Sequence, residues 1–336
     1  MLRLPPFEYL TPQTLDEAVA LLAQHGPEAT LVAGGTDLFP NMKRRLFTPK
    51  KLIGLSQVKE LKTFVQPSTP PTLPFTLGAG LTLTQITRHP LIVERYPALA
   101  TAAGLVSTPQ LRNMGTIGGN LCLDTRCTYY NQTEPWREAL GYCMKKDGHI
   151  CWVAPGSSRC WAVSSSDTSP VMIALGASVR LVGPKGERTM PVQALYHNDG
   201  MAYLSKAPDE ILVEIQLPDA NGVKMIYKKL RRRGSFDFPI LGVAVALRQA
   251  EDGTVTEANI VLGAVASYPV KAVEAEEFLV GKRLTNEVIE EAAKFAFKPA
   301  KPLDNTDMGH PYRKQMVQVY VARALREAVG MDAKRG

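Results

Sequence analysis

All five cysteines of the chain, Cys122, Cys127, Cys143, Cys151 and Cys160, fall in one short stretch, and none occurs elsewhere in its 336 residues. Buried structural thiols would be scattered through a core, whereas one dense cluster asks for a shared metal. The stretch contains no Cys-x-x-Cys pair, so zinc-ribbon spacing is absent, and it differs from the closely spaced run of bacterial ferredoxins. Spacing alone leaves an iron–sulfur cluster, zinc and structural thiols open. His149 is the only histidine nearby, and an all-thiolate donor set suits an iron–sulfur cluster at least as well as zinc. Four ligands complete one cluster, which leaves one thiol spare.

At 336 residues the chain is long for a single hydrophobic core, so two or three domains are expected. No apolar run approaches the 18 or so residues of a membrane span. Met1 to Pro12 carries Glu8 and no long apolar run, which is not a secretory signal. The expectation is a cytoplasmic chain without membrane contact, in a compartment where disulfides rarely persist. The net charge of +7 is spread thinly, without aromatic–basic interleaving, which argues against nucleic acid. Such charge also suits docking to acidic partners.

The elements read as α+β. Thr14, with Glu17 three residues on, forms a capping box ahead of a helix whose apolar face is Ala18, Val19, Leu21 and Leu22, ended by Gly26. Strands are expected at 29–32 and 51–55, a proline-rich loop over 67–74, another strand ending at Leu77-Gly78-Ala79-Gly80, and a helix from Thr84. Ser164-Ser165-Ser166-Asp167 precedes an apolar helix over 170–175, and the serines read as turn residues. Strands follow at 177–182 and 211–217, and a boundary at 220–222. Beyond it, strands over 225–230, 240–248 and 255–264 form an antiparallel sheet covered by helices near 270–279, 287–298 and 311–329.

Two glycine turns close apolar segments in the first half: Ala33-Gly34-Gly35-Thr36-Asp37 and Thr116-Ile117-Gly118-Gly119-Asn120. Successive backbone amides of such a turn can bind phosphate oxygens, although an ordinary tight turn has the same look. Neither is a Rossmann fingerprint or a Walker loop, because the third glycine and the Gly-Lys-Ser/Thr ending are missing. Their repetition points to one extended ligand facing both.

Phe7-Glu8-Tyr9 with the capped helix, the two glycine turns, Asp167, Tyr227-Lys228-Lys229 and the closing Tyr312-Arg313 occur in an order that resembles the FAD-binding subunits of the xanthine dehydrogenase, or molybdenum hydroxylase, family. The resemblance spans essentially the whole chain. Most members of that family have no long cysteine insert after the second glycine turn. Here Cys122-Leu123-Asp124-Thr125-Arg126-Cys127, then Gly141-Tyr142-Cys143, Cys151 and Arg159-Cys160, resemble the middle subunits of the family's 4-hydroxybenzoyl-CoA reductase branch.

The resemblance implies a vanillyl-alcohol-oxidase (PCMH)-type FAD-binding domain over residues 1–220, with subdomains of about 1–57 and 58–220 and an iron–sulfur insert over 122–162. A CO-dehydrogenase-flavoprotein-type α+β domain over 221–336 would follow. It implies FAD held by Ala33, Gly34, Gly35, Thr36, Asp37 and Leu38 at the pyrophosphate, by Thr116, Ile117, Gly118, Gly119 and Asn120 at the ribityl chain and ring, and by Leu212. Asp167 would hydrogen-bond flavin or ribityl groups, and Lys229, with Lys228 as the neighbouring candidate, would place positive charge near the ring. Cys127, Cys143, Cys151 and Cys160 would ligate a 4Fe-4S cluster, with Cys122 spare. The implied partners are a large subunit with a molybdopterin cofactor, a small subunit with two 2Fe-2S clusters, and an external donor such as ferredoxin, in a dimer of heterotrimers. Substrate chemistry then belongs to the large subunit, as reductive dehydroxylation to benzoyl-CoA or, alternatively, as oxidative hydroxylation of xanthine, an aldehyde or an N-heteroaromatic. No catalytic residue is expected in this chain.

Overall fold

A computed structural model describes residues 2–65 and 74–331. The loop read over 67–74 lies, apart from Pro74, outside the described residues. Among the described residues, three sheets organise the fold. The first is parallel, with Glu8–Leu10 and Ala29–Val32 flanking Lys51–Gly54. Helix Leu15–His25 lies against it through Ala18, Val19 and Leu22. Thr14 caps that helix by accepting the Glu17 amide at 3.2 Å. The Glu17 carboxylate takes the amide of Gln13, one residue before the position the capping box predicts. Strand Glu8–Leu10 and helix Leu38–Lys43 escape the sequence reading, since three and six residues are too short to display a period. Pro40 fits in the first turn of that helix, where its missing N–H is not needed.

The second sheet is antiparallel, in the order Phe64–Val65, Phe75–Gly78, Ile211–Leu217, Ser178–Gly183, Gly186–Pro191. The last of these is an exposed edge strand of sequence GERTMP, with no apolar alternation to announce it. Helices Leu83–Arg88, Pro90–Arg95, Pro97–Leu105 and Thr168–Ala174 build the core beside this sheet. The first starts at Leu83, not Thr84, because Thr82 and Gln85 form a reciprocal capping box.

The third sheet orders Val270–Lys271, Val255–Gly263, Leu241–Gln249 and Lys224–Leu230, all antiparallel. Val270 thus ends in an edge strand, and the helix expected from it begins at Val273. Both faces of the sheet are buried, and strand parity sorts them. Val243, Val245 and Leu247 join the cluster covered by helices Val273–Leu279, Asn286–Phe297 and His310–Ala328. The smaller Ala244 and Ala246 face the other way, where Met225, Tyr227 and the helices beside the second sheet pack. Small side chains let those helices approach closely. Arg313 staples the final helix to the sheet: fully buried, its guanidinium donates to the carbonyls of Ile240 (3.3 Å), Leu303 (2.7 Å) and Ala264 (2.5 Å). Burial holds it down to about 10. No helix among the described residues is long and apolar enough to cross a membrane.

Candidate functional site

The two glycine segments meet. A Cβ on Gly34 would lie 2.0 Å from the Met114 carbonyl oxygen, so only glycine lets the first loop touch the run leading into the second. Gly35 adopts φ +69°, the left-handed region that favours glycine. Among the described residues, no acceptor takes up the amides of Gly35, Thr36 and Asp37, and free successive amides are what an anion-binding loop needs. The Asp37 carboxylate, which would repel an anion, is turned to the Asn41 amide at 3.1 Å and ion-paired with Arg126. Ala33 and Leu38 flank this loop, half-buried.

The second segment is one turn of helix rather than a free glycine turn. Thr116 caps Ile117–Leu121 by accepting the Gly119 amide at 3.1 Å. It is clamped to loop 79–83: the Ile117 amide donates to Leu81 and the Gly118 amide to Ala79, both at 2.9 Å, and the Leu83 amide to Gly115 at 2.8 Å. A Cβ on Gly118 would meet that of Ala79 at 2.6 Å. Gly119 is the exposed residue of the turn. Leu212 lies in the sheet core, 6% exposed, beside Val213, whose carbonyl accepts the Ala79 amide at 2.8 Å.

A buried polar seam links this turn to the third sheet. Asn120 Oδ1 accepts from the hydroxyls of Ser166 (2.9 Å) and Thr168 (2.7 Å). Asp167 accepts from the Tyr227 hydroxyl at 2.8 Å and the Lys229 ammonium at 2.9 Å, with side-chain exposures of 3% for Asp167 and 1% for Lys229. Lys229 also donates to the Leu105 carbonyl at 2.9 Å. Burial pushes the Asp167 carboxyl up while Lys229 and Tyr227 pull it down, and burial likewise lowers Lys229 against the pull of Asp167. These two residues therefore bond to each other inside the protein. Lys228, on the opposite face, pairs with Glu327 of the last helix. Arg232 and Arg233 pair at the surface with Asp307 and Asp237.

The cysteine insert leaves and rejoins the fold at a two-bond neck, Arg126 N–H to Val163 (2.8 Å) and Val163 N–H to Arg126 (2.7 Å). Inside, Cys127, Cys143, Cys151 and Cys160 line one small recess with Tyr130, Met144, Lys145, Trp152 and Ala162. Among the described residues no three His, Cys, Asp or Glu side chains are drawn together closely enough for a single metal ion. All five cysteines are free. Cys122 is not on the lining: it packs against the main core, and burial pushes its thiol up to about 11. Burial raises Cys127 to about 11, opposed by hydrogen bonds from the amides of Tyr129 and Tyr130. It raises Cys160 to about 12, opposed by the Ala162 amide and the Lys145 charge. His149 is exposed and off the lining.

Arg126 and Lys145 escape the sequence reading, since a single basic residue between cysteines carries no pattern. Arg126 reaches from the neck of the insert to Asp37 and to Asn41 (3.0 Å), and its guanidinium sits 4.8 Å from the ring centre of Phe238. Tyr227 belongs to a quoted motif, and its partner becomes visible only in three dimensions.

We predict that Gly34→Ala forces the two glycine segments apart, because its nearest neighbours are backbone atoms that cannot rotate away. The cost is at least the ~1–3 kcal/mol of an overpacked core. It should be read as a lowered thermal midpoint together with flavin lost on desalting. Flavin retained at the wild-type ratio would show that the close approach is dispensable.

Comparison with known proteins gives matches over both halves. Residues 5–220 match the model described as the FAD binding domain in molybdopterin dehydrogenase. Residues 225–328 match the CO dehydrogenase flavoprotein C-terminal domain. The chain is 31% identical to the carbon monoxide dehydrogenase medium chain of Hydrogenophaga pseudoflava, over 96% of this chain and 97% of that one. It is 30% identical to the nicotinate dehydrogenase FAD-subunit of Eubacterium barkeri, over 93% and 92%. Its fold is similar to the solved carbon monoxide dehydrogenase of Hydrogenophaga pseudoflava, with a TM-score of 0.81 over 98% of this chain and 99% of that one.

Proposed function

We propose, from the premise that this chain belongs to the FAD-binding medium subunits of the molybdenum hydroxylase family, that it is an electron-transfer subunit carrying FAD and a 4Fe-4S cluster. The observation that carries the cluster is the recess lined by Cys127, Cys143, Cys151 and Cys160, with Cys122 packed elsewhere. Four thiols around one recess, with His149 off its lining, make an all-thiolate donor set, which suits an iron–sulfur cluster at least as well as zinc. When bound, FAD exchanges electrons singly or in pairs and a four-iron cluster passes them one at a time.

The chain's own residues would do the holding. The amides of Gly35, Thr36 and Asp37 would receive the pyrophosphate, with the Asp37 charge neutralised by Arg126. The turn at 116–120 would lie along the ribityl chain and the ring. The Asp167–Lys229–Tyr227 group would fix the floor beneath them rather than reach out to the flavin. A large molybdenum subunit and a small subunit with two 2Fe-2S clusters would complete the complex, in a dimer of heterotrimers.

The extra one-electron port supports inward flow from a donor such as ferredoxin, hence a complex of the 4-hydroxybenzoyl-CoA reductase type. A second reading, an oxidative molybdenum hydroxylase with electrons leaving through the flavin, is favoured by the names of the relatives, which are dehydrogenases of carbon monoxide and nicotinate.

The purified complex, prepared anaerobically, is expected to hold, in this chain, about four irons per FAD. With reduced ferredoxin it should convert 4-hydroxybenzoyl-CoA to benzoyl-CoA. Iron near zero in this chain sinks the cluster. Oxidation of an aldehyde or N-heteroaromatic without any turnover of 4-hydroxybenzoyl-CoA selects the second reading.

A further inference from the structure

The thiol recess has a built-in positive charge that no ligand role explains. Lys145 lines it beside the four cysteines, and its side chain is only 5% exposed. The ammonium is fully engaged: it donates to Asp124 Oδ1 at 2.7 Å, to the Gly200 carbonyl at 2.7 Å and to the Thr125 hydroxyl. The rings of Tyr130 and Tyr203 face it at 4.7 and 5.5 Å. Asp124, 9% exposed at its side chain, is absent from the recess lining, and among the described residues one of its carboxylate oxygens has no hydrogen-bond partner. The pair is therefore oriented, with the lysine in the wall of the recess, where its charge acts on the Cys160 thiol, and the carboxylate off the lining.

A buried pair of this kind is an expensive way to stabilise a loop, since desolvation offsets much of the attraction. Its orientation gives it another use. Each electron added to a four-thiolate cluster adds one negative charge, and in a medium of low dielectric a nearby fixed cation favours that reduced state. We propose that Lys145 sets the reduction potential of the cluster held by Cys127, Cys143, Cys151 and Cys160, raising it, and that Asp124 limits the rise while holding the ammonium in place. Lys145 is a positioning and tuning residue, since the four thiols already complete the ligand set. The inference rests on the cluster reading above.

The test is an anaerobic titration of the intact complex with dithionite and mediators, followed by electron paramagnetic resonance, with iron counted in parallel. Lys145→Met should shift the midpoint of this cluster to more negative potential and Asp124→Asn to more positive potential, with Lys145→Arg close to wild type and iron unchanged in all three. Opposite shifts from two residues in one hydrogen-bonded pair are not what a merely structural role yields. Unchanged midpoints at wild-type iron content overturn the tuning role and leave the cluster standing. Loss of iron in Lys145→Met, retention in Lys145→Arg and no shift in Asp124→Asn would also overturn it, by showing that the lysine only maintains the recess. Absence of this iron from the wild-type complex would instead overturn the cluster reading itself.

Discussion

Cys127→Ser should reduce the iron of this subunit from about four atoms per FAD to less than about one and abolish its cluster signal in electron paramagnetic resonance, while Cys122→Ser leaves both unchanged. The asymmetry follows from placement. Cys127 lines the recess with Cys143, Cys151 and Cys160, and its sulfur receives the amides of Tyr129 and Tyr130, donors that favour a thiolate. Serine at this position offers a harder, more basic oxygen that must lose its proton in a recess where burial already raises the thiol. Cys122 belongs instead to the main core, and its carbonyl accepts the Tyr203 hydroxyl at 3.1 Å, a bond that serine preserves. Exchanging its thiol for a hydroxyl there should cost about 1–3 kcal/mol of stability and no iron. Iron counted against flavin in both variants decides the matter. Iron kept in Cys127→Ser and lost in Cys122→Ser would mean that the spare thiol has been misassigned.

The second large effect concerns stability. Lys229→Met should destabilise the chain by about 3–5 kcal/mol, because it strands the buried Asp167 carboxylate with Tyr227 as its remaining side-chain donor. Combining it with Asp167→Asn should recover much of that loss, since removing both charges removes the uncompensated one. Lys228→Met, one residue away, should cost less than about 1 kcal/mol, as its pair with Glu327 is half-exposed. Denaturant titration of the four proteins, with flavin content recorded alongside, measures all three differences. Equal costs at Lys228 and Lys229 would refute the burial argument.

Much of the fold was legible in the residues. Helix Leu15–His25 announces itself by Thr14, its apolar face and Gly26, and the third sheet by apolar runs separated by turn signals such as Glu251-Asp252-Gly253. The α+β architecture expected from the resemblance matches the two family domains and the similar solved structure. What escaped were elements without a period: the three-residue strand Glu8–Leu10, helix Leu38–Lys43 and the polar edge strand Gly186–Pro191. The second glycine segment read as a turn because its glycines suggest one. Thr116 and the clamp from loop 79–83 wind it into helix instead.

The same division runs through the candidate site. By itself the sequence determined which residue types were available and roughly where: two glycine segments, one dense group of thiols, an acid after a serine run and two adjacent lysines. The resemblance put Lys229 ahead of Lys228, but local pattern could not say which of the two is buried, because neighbours in a strand differ only in the face they take. The tertiary structure decides it by parity, turning Tyr227 and Lys229 inward to Asp167 and Lys228 outward to Glu327. Nor do intervals along the chain say which cysteines share a space. The neck at Arg126 and Val163 closes the insert downstream of Cys122, so four thiols converge and the fifth stays with the core. Composition and local pattern are properties of neighbours in sequence; which charge is buried and which thiols converge depend on segments that only packing brings together.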